Sequence, residues 1–100
     1  MEKFKGTPGP WRNDYNLIRS KDGINISDVW DMGVNFPDAT ECEANANLIA
    51  AAPELLKLAF KFKSDLLNML HKTPARDIRI AEIDLIISKA LGKETINHEK

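Results

Sequence analysis

Hydrophobic and polar residues alternate with a period of two along residues 15–30, which is typical of a β-hairpin with one buried face. Asp22-Gly23 stands inside this segment, and the dipeptide tolerates the positive φ angles of a two-residue type I′ turn. The pattern therefore predicts two antiparallel strands joined at residues 22–23.

The register of this hairpin follows from the position of its turn. A turn at 22–23 pairs Arg19 with Ile26 and Leu17 with Asp28. One face of the hairpin then carries most of the apolar side chains, and we expect that face to pack on the helices that follow. Its members are Tyr15, Leu17, Ile24, Ile26 and Trp30.

The segments on either side of the hairpin contain glycine and proline. Residues 6–10 read Gly-Thr-Pro-Gly-Pro, which excludes a helix or a central strand and predicts a stiff lead-in to Trp11. Residues 31–39 contain Gly33 and Pro37 and are predicted to form a loop, with room for a short third strand around Val34.

The second half of the chain changes to a helical period. Thr40 and Glu43 have the spacing of a capping box, which predicts a helix over 41–51. Pro53 disfavours a helical conformation at the residue before it, so we expect a kink or break at 51–53. A second helix is predicted over 53–70 because leucines and phenylalanines recur there every three or four residues.

A last helix is predicted over 74–91, because Thr73-Pro74 is a cap followed by proline and Gly92 is a helix stop. Its apolar stripe is wide. Either this is a well-buried core helix, or the chain forms a homo-oligomer through residues 78–91. The stripe contains Ile80, Ile83, Ile87 and Leu91, widened by Ile78, Leu85 and Ile86.

The order of these elements predicts an α+β fold, with an N-terminal β-hairpin or small antiparallel sheet packed on a C-terminal helical hairpin. We expect residues 1–100 to form one domain. Within it, 6–39 are the lead-in and hairpin, 40–92 are the helices, and 93–100 are a flexible tail.

Composition excludes several classes of protein. The chain has 100 residues, with 14 Lys and Arg against 15 Asp and Glu, and 43% of it is hydrophobic. These values exclude a disordered chain and argue against a binder of long nucleic acids or membrane surfaces. No apolar run is long enough for a membrane span, and no signal peptide is visible. The single cysteine, Cys42, forms no internal disulfide, so a reducing cytoplasm is expected.

The sequence shows no group of residues with the spacing of a catalytic site or a metal site. His71 and His98 are far from each other and from Cys42, so no metal or cofactor is expected. Glu41 and Glu43 flank the thiol of Cys42 and oppose its activation as a nucleophile. The prediction is a protein that is not an enzyme.

Two groups of residues are candidates for a ligand site. Aromatic and arginine side chains interleave in the first part of the chain and suit stacking on a base with a cation at its phosphate; the alternative is core packing. Residues 57–79 carry an excess of four positive charges, and either bind an anion or form a solvated helix face. The candidates are Trp11, Arg12, Arg19 and Trp30 in the first group and Lys57 and Lys61 in the second.

Three stretches together resemble a widespread family of short phage and prophage proteins: Thr-Pro-Gly-Pro-Trp at 7–11, the alanine-rich motif at 43–56, and the closing helix at 83–92. The motif's alanines allow another backbone to approach closely, and we expect this to be the 7–11 segment or the hairpin. Asn45 would bond that backbone or the break at Pro53, or contact a ligand directly. Family members often carry a basic residue where Asn47 stands, which weakens any anion role for that position.

The arrangement of an N-terminal sheet and a C-terminal helical pair is similar to that of phage anti-Thoeris sponge proteins, which sequester cyclic nucleotide immune signals as oligomers. The resemblance implies a phage protein in the bacterial cytoplasm that sequesters a cyclic nucleotide through Trp11, Arg12, Arg19 and Trp30, with Asn45, Lys57 and Lys61 assisting. The alternative is an accessory protein that inhibits a host protein through an apolar helix face.

Overall fold

The computed structural model describes residues 4–30, 35 and 37–93. It contains a three-stranded antiparallel sheet followed by three helices, which confirms the α+β class. The elements are β1 (Trp11–Asp14), β2 (Leu17–Ser20), β3 (Asn25–Asp28), α1 (Ala39–Ala50), α2 (Ala52–Leu67) and α3 (Pro74–Ala90). A short third strand around Val34 falls outside the described residues.

The chain divides into two compact units. The first, the sheet unit, is Lys5–Leu55, and the second, the helical unit, is Met1–Phe4 with Leu56–Lys100. That residues 1–100 form a single domain stays a prediction.

The sheet has the order β1-β2-β3, and its first strand was not predicted. Tyr15 and Asn16, which the alternation assigned to a strand, instead have φ angles of 53° and 68° and connect β1 to β2. Asparagine tolerates this left-handed conformation, which makes a tight turn possible here. The Tyr15 side chain is 99% exposed as a result, so its prediction as part of a buried face is wrong.

The second turn lies at the predicted place, but the loop is longer than two residues. Leu17 pairs with Asp28 as predicted, whereas Arg19 pairs with Asn25 rather than Ile26. A register shift between Ile18 and Arg19 causes the difference, since an extra residue in one strand moves every later pair by one.

The buried face of the sheet is the opposite one from that predicted. Ile18 and Ser20 are 0% and 3% exposed, whereas Ile24 and Trp30 are 54% and 58% exposed. Ile24 and Trp30 lie beyond the strand ends, where the alternation no longer orients side chains. The sheet packs on α1 through β1 and β2.

Helix α1 begins two residues earlier than predicted, because Asp38 is its cap rather than Thr40. The Glu41 amide donates to Asp38 Oδ1 at 2.9 Å, and the Asp38 amide donates to Glu41 Oε1 at 3.2 Å. Asp-x-x-Glu at 38–41 thus forms the capping box, and Asp is a stronger cap than Thr. The interruption lies at Ala51, the C-cap between α1, which ends at Ala50, and α2, which starts at Ala52. Ala52 itself is helical, so the effect expected of Pro53 on its preceding residue is not found.

The 7–11 segment approaches the alanine-rich motif closely at Pro53, whereas a backbone approach at the motif's alanines stays a prediction. Ala46 is fully buried in α1. A Cβ placed on Gly9 would lie 2.6 Å from the Cβ of Pro53, so the 7–11 segment packs directly on the start of α2. Asn13 Nδ2 of β1 donates to Asn47 Oδ1 of α1 at 2.8 Å.

The helical unit contains the end signals that the sequence predicts for its last helix. Thr73 Oγ1 accepts from the Arg76 amide at 3.1 Å, and Pro74 opens α3. At the other end Gly92 has φ +75°, and the Lys93 amide donates to the Ser88 carbonyl at 2.7 Å, which is the closing bond of a Schellman motif.

The apolar stripe of α3 is divided between two opposite faces. Ile83 and Ile87 are 9% and 2% exposed, and Ile80 and Leu91 are half-buried. The three residues that widen the predicted stripe lie on the exposed side of the helix. Ile78, Leu85 and Ile86 are 59%, 64% and 63% exposed. None of the helices in the described part of the chain is long and apolar enough to cross a membrane.

Candidate functional site

Four of the five predicted site residues of the sheet unit line two separate surfaces, and Arg19 lines neither. The Trp11 groove has a volume of about 240 Å³ and is lined by Pro10, Trp11, Arg12 and Lys21. The Trp30 cleft is an open cleft of about 450 Å³, lined by Ser27, Asp28, Val29, Trp30, Pro37, Asn45, Leu48 and Ile49.

Strand pairing builds the Trp11 groove. Trp11 at the start of β1 lies opposite Ser20 at the end of β2, which brings Lys21 close to the lead-in. The Trp11 indole N–H donates to the Thr7 carbonyl at 3.1 Å, and Arg12 Nη1 donates to the Ser20 carbonyl at 3.1 Å. These bonds fix the half-buried ring and the guanidinium at the end of the sheet.

The groove carries positive charge without an acidic counterpart. Arg12 bonds to a neutral carbonyl, and neither it nor Lys21 forms an ion pair with any described residue. None of the described residues that line the groove is acidic. An aromatic ring beside two cations without acidic partners is an arrangement that suits a small anion with a planar group.

Arg19 lies beside this groove without lining it. It pairs directly with Arg12 in the β1–β2 ladder, so both side chains leave the same face of the sheet. Its Nε lies 3.3 Å from Asp14 Oδ2, and this carboxylate neutralises it. A part of Arg19 in ligand binding stays a prediction.

The Trp30 cleft brings Trp30 and Asn45 together. Cys42 Sγ, fully buried, donates to the Trp30 carbonyl at 2.8 Å, so α1 fixes the backbone while the indole remains exposed. Among the described residues that line the cleft, Asp28 alone is charged. Asp28 pairs with Leu17, whereas Ser27 pairs with the buried Ile18, so the Asp28 side chain leaves the opposite face of the sheet.

Lys57 and Lys61 lie in the helical unit and line neither surface. Both are exposed on α2, and Lys61 Nζ lies 3.4 Å from Asp65 Oδ2. Lys57 forms no ion pair with the described residues. Whether either lysine assists in ligand binding stays a prediction.

Sequence reasoning missed Lys21 and Asp28 as lining residues. Lys21 follows β2, and its closeness to Trp11 depends on β1, which the alternation did not predict. The polar bond from the alanine-rich motif to the sheet also comes from Asn47 rather than Asn45, which is exposed. Asn16 is the residue from which β1 could have been predicted, because asparagine favours tight turns and a turn at this position implies a strand before it.

No three His, Cys, Asp or Glu side chains lie close enough to hold a metal ion in the part of the chain that the structure describes. The absence of catalysis and of cofactors stays a prediction from the sequence.

The fold and the groove define a small α+β protein with an open cationic surface. The sequence profile of a family described as Salmonella phage P22 protein Y8K6 matches residues 1–94, and the chain belongs to this family. Its membership confirms the resemblance to short phage proteins. No curated protein and no solved structure matches the chain significantly.

Proposed function

We propose that this phage protein is a non-catalytic anti-defence factor, which binds and sequesters a nucleotide-type immune signal in the cytoplasm of the host. The Trp11 groove is the site of binding, and its two cations without acidic partners are the observation that supports the proposal. Membership of a phage family agrees with it.

The chemistry of the groove suits a nucleotide. The Trp11 ring offers an apolar surface for a base, since stacking tolerates any base. Arg12 and Lys21 supply cations for a phosphate, and Arg12 has donors beyond the one that bonds Ser20.

The size of the groove restricts the form of the ligand. Its volume of about 240 Å³ is below the roughly 300–1,000 Å³ of most small-molecule sites. The groove therefore holds one base and its phosphate, and the second half of a cyclic dinucleotide extends beyond it.

Calorimetric titration tests the proposal with cyclic di- and trinucleotides and cyclic ADP-ribose isomers. We expect one of these nucleotides to bind with micromolar affinity, and we expect that affinity to fall as the salt concentration is raised. Arg12→Ala and Lys21→Ala should each lower the affinity by about tenfold, because each removes a charge-assisted phosphate contact.

The matched control is Lys72→Ala, since Lys72 is exposed in the helical unit and lines neither surface. Its affinity should equal that of the unchanged chain. Absence of binding to every nucleotide at micromolar concentration contradicts the proposal, and so does an equal loss from all three variants.

A second candidate function is inhibition of a host protein through an apolar helix face. The observation that favours it is the exposed side of α3, where Ile78, Leu85 and Ile86 lie opposite the buried stripe. Apolar residues grouped on a solvent face mark an interaction surface in soluble proteins. The homo-oligomer would use the same face.

Pull-down from host lysate with the unchanged chain and with Leu85→Lys tests this candidate. A stoichiometric partner that is lost in the variant supports it, and recovery of none counts against it. Light scattering distinguishes a host partner from a second copy of the chain on this face. If the unchanged chain is a dimer and Leu85→Lys is a monomer, a second copy occupies the exposed face of α3.

A further inference from the structure

Ser20 is a buried polar residue beside the Trp11 groove. Among the residues that the structure describes, it alone combines a hydroxyl, amide or charged side chain with burial, at 3% exposed. It ends β2 and lies opposite Trp11 in the ladder with β1, but it does not line the groove itself. Because a buried hydroxyl without partners is costly, the hydrogen bonds of Ser20 show what it does at this place.

The Ser20 hydroxyl fixes the turn that follows β2. Its Oγ accepts from the Asp22 amide at 3.2 Å and from the Ile24 amide at 3.1 Å. Serine bonds of this kind, to backbone amides a few residues further along, hold a turn in one conformation. Lys21 is the first residue of this turn and the second cation of the groove. The hydroxyl therefore restricts the backbone that carries Lys21.

The Ser20 backbone connects the same turn to Arg12. Its amide donates to the Ile24 carbonyl at 2.9 Å, and its carbonyl accepts from the Gly23 amide at 3.0 Å. The same carbonyl accepts from Arg12 Nη1 at 3.1 Å. A carbonyl oxygen has two lone pairs, so it can take both donors. One residue thus links the Arg12 guanidinium with the turn that carries Lys21.

We propose that Ser20 is the positioning residue of the Trp11 groove, which holds Arg12 through its carbonyl and Lys21 through its hydroxyl so that both cations reach one anion. The proposal rests on the nucleotide site proposed above. Cations that are held in place before binding lose less conformational freedom when the ligand arrives, and this raises the affinity.

Ser20→Ala removes the hydroxyl and keeps the carbonyl, so it separates the two cations. In calorimetric titration with the nucleotides named above, its affinity should be about threefold to tenfold lower than that of the unchanged chain. The double variant with Lys21→Ala should lose little more than Lys21→Ala alone, since the hydroxyl acts through Lys21. With Arg12→Ala the two losses should multiply, because the carbonyl still holds Arg12.

Two further variants separate this effect from a general loss of stability. Ser27→Ala is the matched control, since Ser27 is an exposed serine of β3 in the same sheet, and it should change the affinity by less than about twofold. Ser20→Thr keeps the hydroxyl and should retain the affinity to within about twofold. Urea unfolding shows that each variant is folded under the conditions of the titration.

Hydrogen exchange measured by NMR tests the action of Ser20 without a ligand. The Asp22 and Ile24 amides should exchange about tenfold faster in Ser20→Ala than in the unchanged chain. The Val29 amide, which donates to the Asn16 carbonyl at the other end of the sheet, should not change. This loss of protection together with an absence of nucleotide binding would contradict the nucleotide site, but not the action of Ser20 on the turn.

Four results would overturn the proposal. They are unchanged exchange of the Asp22 and Ile24 amides in Ser20→Ala, an affinity loss in Ser20→Ala no larger than that in Ser27→Ala, equal losses in Ser20→Thr and Ser20→Ala, and a loss in the double variant with Lys21→Ala that equals the product of the two single losses.

Discussion

The two units of the chain differ in how many of their large apolar residues face solvent, although each contains both buried and exposed ones. The sheet unit fully buries small or compact side chains, Ile18, Cys42 and Ala46, and fixes its backbone with polar contacts such as the 2.8 Å bond between Asn13 and Asn47. The helical unit has more large apolar residues, but most of them face solvent. Those more than half exposed are Leu58, Phe62, Leu70, Ile78, Leu85 and Ile86.

This difference separates two kinds of function. Specific polar contacts hold the Trp11 groove and the Trp30 cleft in defined shapes, which a ligand site requires. Exposed apolar helix faces have little shape of their own and gain stability when another surface covers them. This difference agrees with the proposal that the sheet unit binds a ligand and that the exposed face of α3 contacts another protein.

The largest expected effect is in the core of the sheet unit. Ile18→Ala removes a side chain that is 0% exposed and should lower the free energy of unfolding by about 2–5 kcal/mol. Urea unfolding followed by tryptophan fluorescence measures this, because Trp11 and Trp30 both lie in the sheet unit.

The matched variant in the helical unit is Ile78→Ala, which truncates an isoleucine that is 59% exposed. Its cost should be below about 1 kcal/mol in urea unfolding followed by circular dichroism. Equal losses of unfolding free energy in Ile18→Ala and Ile78→Ala would contradict the difference in burial between these two isoleucines.

The close approach of Gly9 to Pro53 should give the next largest effect. Gly9→Ala places a Cβ 2.6 Å from the Cβ of Pro53, so one of the two segments must move, at a cost of about 1–3 kcal/mol. Gly23→Asn is the control, because the space beside Gly23 is open and asparagine tolerates its φ of +87°. A smaller loss of unfolding free energy in Gly9→Ala than in Gly23→Asn would contradict the packing described.

Helix caps allow the two units to be compared directly. Asp38→Ala in the sheet unit and Thr73→Ala in the helical unit should each cost about 1 kcal/mol, since each side chain accepts from a first-turn amide. Thr40→Ala should be nearly neutral, because Thr40 lies inside α1. A loss for Thr40→Ala as large as that for Asp38→Ala, measured by thermal unfolding, would restore Thr40 as the cap.

The smallest expected effect concerns the ion pair that joins α2 and α3. Lys63 Nζ lies 2.6 Å from Asp84 Oδ1, and the two side chains are 33% and 48% exposed. Solvent screening at this exposure limits the pair to less than about 1 kcal/mol. Asp84→Asn should therefore lower the unfolding free energy slightly in urea, and the loss should shrink in about 0.5 M salt.

Asp65→Asn is the comparison for that pair, since it breaks the contact between Lys61 and Asp65 within α2 alone. Its effect should be smaller still, because both side chains are more than half exposed. A larger loss from Asp65→Asn than from Asp84→Asn would contradict this ranking.

Local signals in the sequence predict the helices well and the sheet only in part. Thr73-Pro74, Gly92 and Pro53 act through the backbone of their neighbours, so the ends they predict are found in the structure. The register of the sheet depends on a bulge and on a turn at Tyr15-Asn16, and alternation alone does not distinguish a turn residue from a strand residue.

The candidate site was harder to predict for the same reason. Trp11 and Arg12 were identified by residue type, but Lys21 reaches them only through the pairing of β1 with β2. Trp30 and Asn45 were identified too, yet they line a different surface, since they lie at the other edge of the sheet unit. Residue types in the sequence identify candidate site residues. The pairing of the strands determines which of these candidates lie close together.

We propose that the sheet unit, and not the helical unit, binds the nucleotide. Titration of the ¹⁵N-labelled chain with the nucleotides named above, followed by amide chemical shifts, tests it most directly. We predict shifts concentrated at residues 10–12 and 20–22, around the Trp11 groove. Shifts confined to the lysines of α2, or the absence of shifts with every nucleotide, would contradict the account.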